Sequence, residues 1–418
     1  MHTLLFLDPG HFHAALTLRI PNPRVADEIV VYAPDGAERR DFLALVERFN
    51  TRGDAPTRWR PIVVDDGNPL DRLIAERRGD VVVLAGRNGG KARTMRRLHE
   101  AGFHVLADKP WLVDAADLYD VRASLAARPL AMEMMTGRHD ATARLMQRLV
   151  ATEEVLGSFA ADGPAIELEG VHHLEKLVDG APLRRPWWYF DVRVQGSGAV
   201  DIPTHLVNQA QWLAGADDGA GLPLLSARGW STRVPVGAFR RITGEPGFPS
   251  ELAPFADGDA LAYFCNAEMR FRVGRVVARA ATRWDLAAPP GSGDTSRTVV
   301  RGTRATVVLE QGPETGGRRR LSVEPRGDAE PVLRALDEAV AAAQAELPGV
   351  RVERDAGRAI LAVPPALASG HEAHFALVLE ELLAAIDEGR WPAAIAARTL
   401  AKYALLAEAA TTVSRDAS

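Results

Sequence analysis

Three polar residues, Lys109, Asp201 and His205, have the side-chain chemistry needed to activate an alcohol. Asp201 and His205 are four residues apart, so a helix over residues 201–212 would place the carboxylate and the imidazole on one face. A carboxylate that orients an imidazole makes a general base that works near neutral pH. Lys109 could polarise a substrate oxygen or share its proton. The three residues are therefore candidate catalytic groups.

Each of these residues also has a simpler interpretation. A carboxylate four positions before a histidine is common where a helix starts and the histidine packs against its neighbours. A single lysine is usually a solvated surface residue. The elements that position the three residues therefore decide between the two interpretations.

Length and composition limit the classes of protein to be considered. The 418 residues predict two domains, and the formal net charge of −5 gives no reason to expect a nucleic-acid partner. Cys265 is the only cysteine, so no intrachain disulfide forms. No apolar run approaches the ~18 residues of a membrane helix, and the N-terminus lacks a secretion signal pattern. We expect a cytoplasmic protein without a membrane partner.

Residues 1–135 alternate short apolar runs with amphipathic stretches. This alternation predicts a parallel sheet covered by helices, as in a doubly wound Rossmann domain. The predicted strands are Thr3–Leu7, Glu28–Ala33, Arg60–Val64, Asp80–Ala85, Phe103–Ala107 and Leu130–Met134. The predicted helices are His11–Arg19, Ala37–Phe49, Pro69–Arg77, Lys91–Ala101 and Val113–Ala127. The loops at residues 8–13, 86–88 and 108–110 all follow strands, so we expect them to converge on one crevice.

Residues 136–418 are expected to form a second domain of the α/β class. Residues 156–169 are predicted to be extended, and the alternation between Leu224 and Val323 predicts a largely antiparallel sheet. If that sheet has an apolar outer face, a homodimer or homotetramer is favoured. The predicted helices are Ala199–Leu213, Ala329–Glu346, His371–Glu388 and Ala393–Ala410.

The first strand-to-helix turn, Asp8–His13, is the expected place for a dinucleotide. Such turns usually carry G-x-G-x-x-G, so that the backbone can approach a pyrophosphate. Here Gly10 keeps the middle glycine, while Asp8 and His13 replace the outer two. Asp8 could instead cap the helix, and His11 or His13 could donate to a phosphate.

The second predicted strand is followed by Asp35, which could accept from an adenosine ribose hydroxyl or could be a turn residue. No arginine is its immediate neighbour in sequence, which favours NAD slightly. Arg39 and Arg40 keep NADP open as the alternative.

The segment Phe103–Pro110 resembles the E-K-P signature of the glucose–fructose oxidoreductase, inositol dehydrogenase and rhizopine-catabolism (Gfo/Idh/MocA) family, with Asp108 in place of the glutamate. Asn88 stands where that family often has a Thr-Pro-Asn turn, and Arg87 replaces the proline. The segment Gln195–His205 is similar to the family's glycine-rich entry into a D-x-x-x-H helix.

The chain also resembles a subgroup that carries a further oxidoreductase C-terminal domain. The matching segments are Leu7–Leu16, Gly170–His173, Arg185–Asp191 and Thr204–Asn208. The resemblance implies a Rossmann domain and an α/β domain whose open antiparallel sheet often forms subunit interfaces. It also implies hydride transfer between NAD or NADP and a sugar, cyclitol or related polyol. The implied cofactor-binding residues are Gly10, His11, Phe12, His13, Asp35, Arg87, Asn88, Asp108 and Lys109.

In such an enzyme, His205 would accept the hydroxyl proton, Asp201 would orient His205, and Lys109 would stabilise charge on the reacting oxygen. The candidate substrate-binding residues are Arg138, His172, His173, Arg185, Tyr189 and Asn208. Several of them have alternatives. Arg138 could mark an exposed helix start, the two histidines could bond to loop backbone, and the segment 184–190 could be a packed loop or a dimer contact.

Two other classes of function remain open on the sequence. A metal-dependent hydrolase could use His172, His173, Asp201 and His205 as zinc ligands, but adjacent histidines rarely bind one ion, and we predict no metal site. A regulator that binds nucleotide or sugar without turnover would fit the altered glycine loop.

Overall fold

The structure, a computed structural model, describes residues 1–126, 128–178, 181–216, 218–289, 293–355, 357–368, 370–391 and 393–416. The chain divides into two compact units. The first comprises Met1–His139 and Gly370–Tyr403, and the second comprises Asp140–Ser369 and Ala404–Ser418. No helix among the described residues has the length and apolar character needed to cross a membrane.

The described part of the first unit contains a parallel sheet of six strands in the order β3-β2-β1-β4-β5-β6. This is the doubly wound Rossmann order that the sequence predicts. All residues of β1 and β4 are buried because helices cover both faces of the sheet. The strands are β1 (Leu4–Leu7), β2 (Glu28–Tyr32), β3 (Arg60–Val64), β4 (Val81–Leu84), β5 (His104–Ala107) and β6 (Ala131–Glu133).

The helices that connect these strands follow the sequence prediction except at the first and the last. The helix predicted over Val113–Ala127 begins at Leu118, after a short 3₁₀ helix, and Ala127 lies outside the described residues. The first helix is a single turn instead of the predicted His11–Arg19, and Pro21 follows soon after, where a helix could not continue. The helices are α1 (His13–Leu16), α2 (Ala37–Thr51), α3 (Pro69–Glu76), α4 (Lys91–Glu100) and α5 (Leu118–Leu125). Short 3₁₀ helices cover Ala115–Asp117 and Thr136–His139.

The described part of the second unit is built on a sheet of ten strands, with the order β10-β12-β13-β7-β14-β15-β16-β18-β17 and β11 paired to β12. Its ladders are antiparallel except for the parallel pair of β13 and β7, so the predicted largely antiparallel sheet is confirmed. The strands are β7 (Ile166–Glu175), β8 (Leu177–Val178), β9 (Ala181–Pro182), β10 (Leu224–Pro235), β11 (Ala256–Asp257), β12 (Ala260–Val273), β13 (Val276–Ala287), β14 (Thr295–Arg301), β15 (Ala305–Gln311), β16 (Arg320–Pro325), β17 (Arg351–Asp355) and β18 (Arg358–Ala362). Strands β8 and β9 form a separate hairpin.

Two predictions for the second unit need correction. The helix expected from Ala199 begins at Pro203, because proline suits the first helical position and the residues before it form turns. Of the segment 156–169 expected to be extended, only the part from Ile166 is in a regular strand. The helices of this unit are α6 (Ala141–Ala151), α7 (Glu153–Leu156), α8 (Val192–Gln195), α9 (Pro203–Leu213), α10 (Val236–Thr243) and α11 (Ala329–Ala343), with 3₁₀ helices at Trp187–Phe190, Ser250–Phe255, Pro313–Thr315 and Pro365–Leu367.

The chain returns to the first unit at Gly370, which differs from the prediction that all residues after 135 form the second domain. The returning elements are a 3₁₀ turn (His371–Ala373), α12 (His374–Asp387) and the part of α13 (Ala393–Asp416) up to Tyr403. Phe375, Leu379 and Leu382 join the buried core formed by Leu4 and Phe6 of β1. The apolar face of α12 is visible in the sequence, but its packing partner is not.

A buried ion pair connects the C-terminal segment of the first unit, residues 370–403, to strand β6 of the Rossmann sheet. The Lys402 ammonium pairs with the Glu133 carboxylate, which also accepts from the Tyr403 hydroxyl. The same hydroxyl accepts from the backbone N–H of Trp111 at 2.9 Å, and the rings of Trp111 and Tyr403 stack. Burial lowers the pKa of Lys402, while Glu133 acts in the opposite direction. Through the Tyr403 hydroxyl, Glu133 is thus linked to Trp111, in the segment that follows Lys109 and Pro110.

The stability of this tie can be tested by removing one charge or both. Lys402→Met should lower the free energy of unfolding by about 3–5 kcal/mol, because Glu133 is left buried without its charge partner. The double variant Glu133→Gln/Lys402→Met should lose clearly less. Urea denaturation measures both, and equal losses in the two variants would contradict a coupled buried pair.

Candidate functional site

Three loops meet at the carboxyl edge of the Rossmann sheet, after β1, β4 and β5. The backbone N–H of His11 donates to the Ala85 carbonyl at 2.9 Å. A Cβ added at Gly86 would lie 2.5 Å from the Asp8 carbonyl oxygen, so this close approach requires glycine. Asp8 itself has a φ of 45°, in a region that favours glycine, at the position of the first glycine of a dinucleotide loop. The predicted convergence of the loops is confirmed.

The loops after β1 and β5 are joined by two histidines and one carboxylate. His13 Nδ1 lies 2.9 Å and His11 Nδ1 lies 3.1 Å from the same oxygen, Asp108 Oδ2. Burial raises the pKa of Asp108, but His13 and His11 outweigh this and hold it well below its ordinary value. His13 stands at the last glycine position of the G-x-G-x-x-G motif. Its ring also packs against Phe375, with the ring centroids 4.3 Å apart.

Lys91 connects the loops after β4 and β5. Its buried ammonium donates to Asn88 Oδ1 at 2.6 Å, to the Asp108 carbonyl at 2.8 Å and to the Pro110 carbonyl at 3.3 Å. These bonds hold the Asp108–Pro110 segment, in which the Lys109–Pro110 peptide is cis. Lys91 was not among the site residues expected from the sequence.

Asp35, the residue expected to bind the ribose, is in contact with two arginines, although neither is its immediate neighbour in sequence. Arg39 and Arg40 both donate to Asp35 Oδ1, at 2.8 Å and 3.0 Å, because the first turns of α2 bring them back over the loop. Desolvation raises the pKa of Asp35, but the two arginines produce a net decrease. Nearby, Arg87 pairs with Glu38 of α2 at 3.0 Å.

In the second unit, Asp201 lies in the turn that precedes α9, and His205 lies in the first turn of the helix. Asp201 is buried, and Oδ2 accepts from Gln195 Nε2 at 3.2 Å. This turn rests on β12, where a Cβ at Gly198 would lie 2.4 Å from the Asn266 nitrogen. The glycines before Asp201 thus allow the turn to approach the sheet.

Asp294 organises a polar cluster that the sequence did not reveal. Its carboxylate lies 3.2 Å from His172 Nδ1, accepts from the His173 backbone N–H at 3.0 Å and pairs with the Lys176 ammonium. Burial raises the pKa of Asp294, but His172 and Lys176 overcome this and hold it well below its ordinary value. Asp294 is 122 residues from His172 in a loop without a regular pattern, so no local feature of the sequence links them.

The aromatic segment beside this cluster is packed tightly. Arg185 lies over the rings of Tyr189 and Trp284, at 4.3 Å and 5.2 Å from their centroids, and His172 stacks on Trp284 at 4.8 Å. Tyr189 is only 8% exposed and belongs to the core of the second unit. Burial raises the pKa of Tyr189, Arg185 lowers it, and Asp201 and Asp294 raise it further. These contacts favour the packed-loop alternative for Tyr189.

The remaining predicted residues lie in different surroundings. Asn208 is buried in α9. Arg138 belongs to the first unit, in the 3₁₀ turn Thr136–His139. Burial raises the pKa of Glu381 and lowers that of Lys402, and the charge of Arg138 opposes the first shift and adds to the second. Arg138 and the Asp294 cluster are therefore parts of different units.

Comparison with known proteins gives the family. Residues 145–414 match a family model described as "Putative oxidoreductase C terminal domain", which is more than half of the chain. The chain is also similar to the crystal structure of an oxidoreductase from Parabacteroides merdae ATCC 43184, with 34% identity, a TM-score of 0.95 and coverage of 99% of this chain and 98% of that one. The chain belongs to the Gfo/Idh/MocA oxidoreductases.

More distant structures share the fold of this oxidoreductase. Levoglucosan dehydrogenase in complex with NADH and levoglucosan is 16% identical, with a TM-score of 0.62 and coverage of 99% of this chain and 97% of that one. KijD10, a 3-ketoreductase from Actinomadura kijaniata in complex with NADP, is 14% identical, with a TM-score of 0.58 and coverage of 98% and 97%. No curated protein matches the sequence. The predicted family and enzyme class are confirmed.

The Asp294 cluster generates a stability prediction. Asp294→Asn should lower the free energy of unfolding at neutral pH by about 1.5–3 kcal/mol, because charge-assisted bonds to His172, His173 and Lys176 are lost. The pKa of Asp294 is lowered in the folded state, so its contribution is present above the unfolded value and is lost as the pH falls through the folded value. The difference between wild type and variant should therefore shrink in strong acid.

Urea denaturation at neutral and acid pH measures this difference. The matched control is Asp285→Asn, which changes a more exposed carboxylate on β13, the strand that pairs with β7 beside the two histidines. It should alter stability by less than about 0.5 kcal/mol. A gap between wild type and Asp294→Asn that stays constant across the pH range would contradict the role of the charge.

Proposed function

We propose that this oxidoreductase transfers hydride between NAD or NADP and a secondary alcohol or ketone of a sugar, cyclitol or related polyol. The observation that carries the proposal is the meeting of the loops after β1, β4 and β5 at the carboxyl edge of the Rossmann sheet. Ligands of doubly wound sheets bind at this edge. The NADH and levoglucosan of levoglucosan dehydrogenase and the NADP of KijD10 support the same class of cofactor and substrate.

The residues of these loops fit a dinucleotide in their chemistry. Glycine at positions 10 and 86 keeps side chains away from the loop backbone, and Asp35 offers a carboxylate that is 59% exposed. When bound, the nicotinamide would accept or supply the hydride. The residues proposed to hold the cofactor are Gly10, His11, Phe12, His13, Asp35, Arg87, Asn88, Asp108 and Lys109.

Each catalytic residue has one role in the proposal. His205 accepts the proton of the substrate hydroxyl, and Asp201 orients the imidazole and stabilises its charged form. Lys109 donates to the reacting oxygen, where negative charge develops as the proton leaves. His172, whose orientation depends on Asp294, and Arg185 are proposed to bind substrate hydroxyls.

The antiparallel sheet carries ion pairs such as Arg279–Glu268, at 2.6 Å, so a homodimer or homotetramer formed through it would have a polar interface.

The catalytic roles can be tested one residue at a time. His205→Ala and Lys109→Ala should each lower kcat by about 10²–10⁴-fold, because general acid–base catalysis contributes that range. Binding of NAD(H) should persist in His205→Ala, which separates chemistry from cofactor binding. Steady-state nicotinamide absorbance on a panel of sugars and polyols measures turnover, and fluorescence titration measures binding.

Unchanged kcat in both variants would contradict the assigned roles. A wild-type protein that binds nucleotide but shows no turnover on the whole panel would instead support the regulator, which the one-turn helix α1 and the altered glycine loop favour.

Asp35 generates a prediction about cofactor choice. We favour NAD, because the Asp35 carboxylate can accept from a ribose diol and would repel a 2′-phosphate. Asp35→Ala frees Arg39 and Arg40 and should shift the ratio of kcat/KM for NAD to that for NADP by roughly 10–100-fold toward NADP, equivalent to one charge-assisted bond. The control Asp41→Ala, on the helix α2 that carries Arg39 and Arg40, should leave the ratio unchanged. A ratio that does not move in Asp35→Ala would exclude this residue as the determinant.

A further inference from the structure

The cluster of His11, His13 and Asp108 has the composition of a metal site. Within the described residues, these three form a group whose ligand atoms all lie within 4.8 Å of one another. The histidines of the hydrolase alternative, His172, His173 and His205, are not part of this group. The cluster lies at the carboxyl ends of β1 and β5, so a rigid parallel sheet positions both contributing loops.

The separations between the ligand atoms fit a single ion. Two ligands at about 2.1 Å from a metal are ~3.0 Å apart in an octahedral site and ~3.4 Å apart in a tetrahedral one. The observed distances from Asp108 Oδ2 are 2.9 Å to His13 Nδ1 and 3.1 Å to His11 Nδ1. The imidazole rings are 4.0 Å apart and nearly perpendicular. Small side-chain movements would therefore admit an ion among the three atoms.

The surroundings of the cluster also suit an ion. The second oxygen of Asp108, Oδ1, accepts from the Lys109 backbone N–H at 2.9 Å, which orients the carboxylate as supporting bonds do in metal sites. The side chains of Asp108 and His13 are 5% and 10% exposed, while that of His11 is 34% exposed. Two ligands are thus held in place, and the third leaves a path from solvent.

We propose that His11, His13 and Asp108 bind one divalent transition-metal ion through His11 Nδ1, His13 Nδ1 and Asp108 Oδ2. Two imidazoles and one carboxylate suit zinc and its first-row neighbours better than magnesium or calcium, which prefer oxygen ligands. Three protein ligands leave at least one position for water or for an oxygen of an anionic ligand. An ion here would add positive charge at a loop where α1 has only one turn and therefore a small dipole.

The test is a titration of chelator-treated full-length protein with ZnCl₂ by calorimetry, with metal content measured by mass spectrometry. We expect one saturable Zn²⁺ per chain. His11→Ala should weaken binding at least tenfold, and this variant should fold because His11 is the most exposed of the three. Co²⁺ in place of Zn²⁺ should give visible absorption bands in the wild type that His11→Ala and Asp108→Asn lose.

The matched control is His99→Ala, which removes a partly exposed histidine near the end of α4, opposite the end that carries Lys91. It should retain the stoichiometry and affinity of the wild type. If wild-type protein shows no saturable Zn²⁺ binding, the cluster is an ordinary hydrogen-bonded triad and the proposal is wrong. Binding that survives His11→Ala unchanged would also overturn it. Circular dichroism confirms folding, and if Asp108→Asn does not fold, His11→Ala decides the question.

Discussion

The arrangement of the loops proposed to hold the cofactor depends on one interaction, the hydrogen bonding of the buried Lys91 ammonium. A buried charge is costly unless hydrogen bonds replace its hydration, and here Asn88 and the carbonyls of Asp108 and Pro110 replace it. These bonds join the loops after β4 and β5. They fix the backbone around Lys109 and, through Asp108, the two histidines of the first loop. Lys109, the proposed catalytic lysine, and the altered glycine loop are thus positioned by the same buried cation.

The loop Asp8–His13 allows close backbone contact with fewer glycines than a usual dinucleotide loop. A dinucleotide loop normally uses glycines where the backbone must come close to its neighbours. This chain keeps glycine where contact is closest, at Gly86, and accepts a left-handed backbone at Asp8. His13 occupies the last glycine position and binds Asp108. In place of flexible glycines, the loop therefore has histidines that are held by contacts with Asp108.

The sequence predicted the features that local patterns encode. The Rossmann strands follow from apolar runs of the right length, and Arg60–Val64 has the predicted bounds. The convergence of the loops after β1, β4 and β5 was also predicted, but the contact of His11 and His13 with Asp108 was not. Partnerships between distant segments were not predictable. Asp294 meets His172 across 122 residues, and Lys402 meets Glu133 across 269. The spacing of apolar residues does not indicate which buried charges will pair. It also does not indicate that α12 belongs to the first unit.

Hydride transfer itself is the central claim, and isotope transfer tests it most directly. The protein is incubated with NAD or with NADP and with sugars and polyols that carry deuterium on their hydroxyl-bearing carbons. The recovered nicotinamide is analysed by mass spectrometry and NMR. We expect deuterium at the C4 position of the nicotinamide with at least one substrate. Oxidised substrate without label in the cofactor, or no transfer across the whole panel, would contradict it.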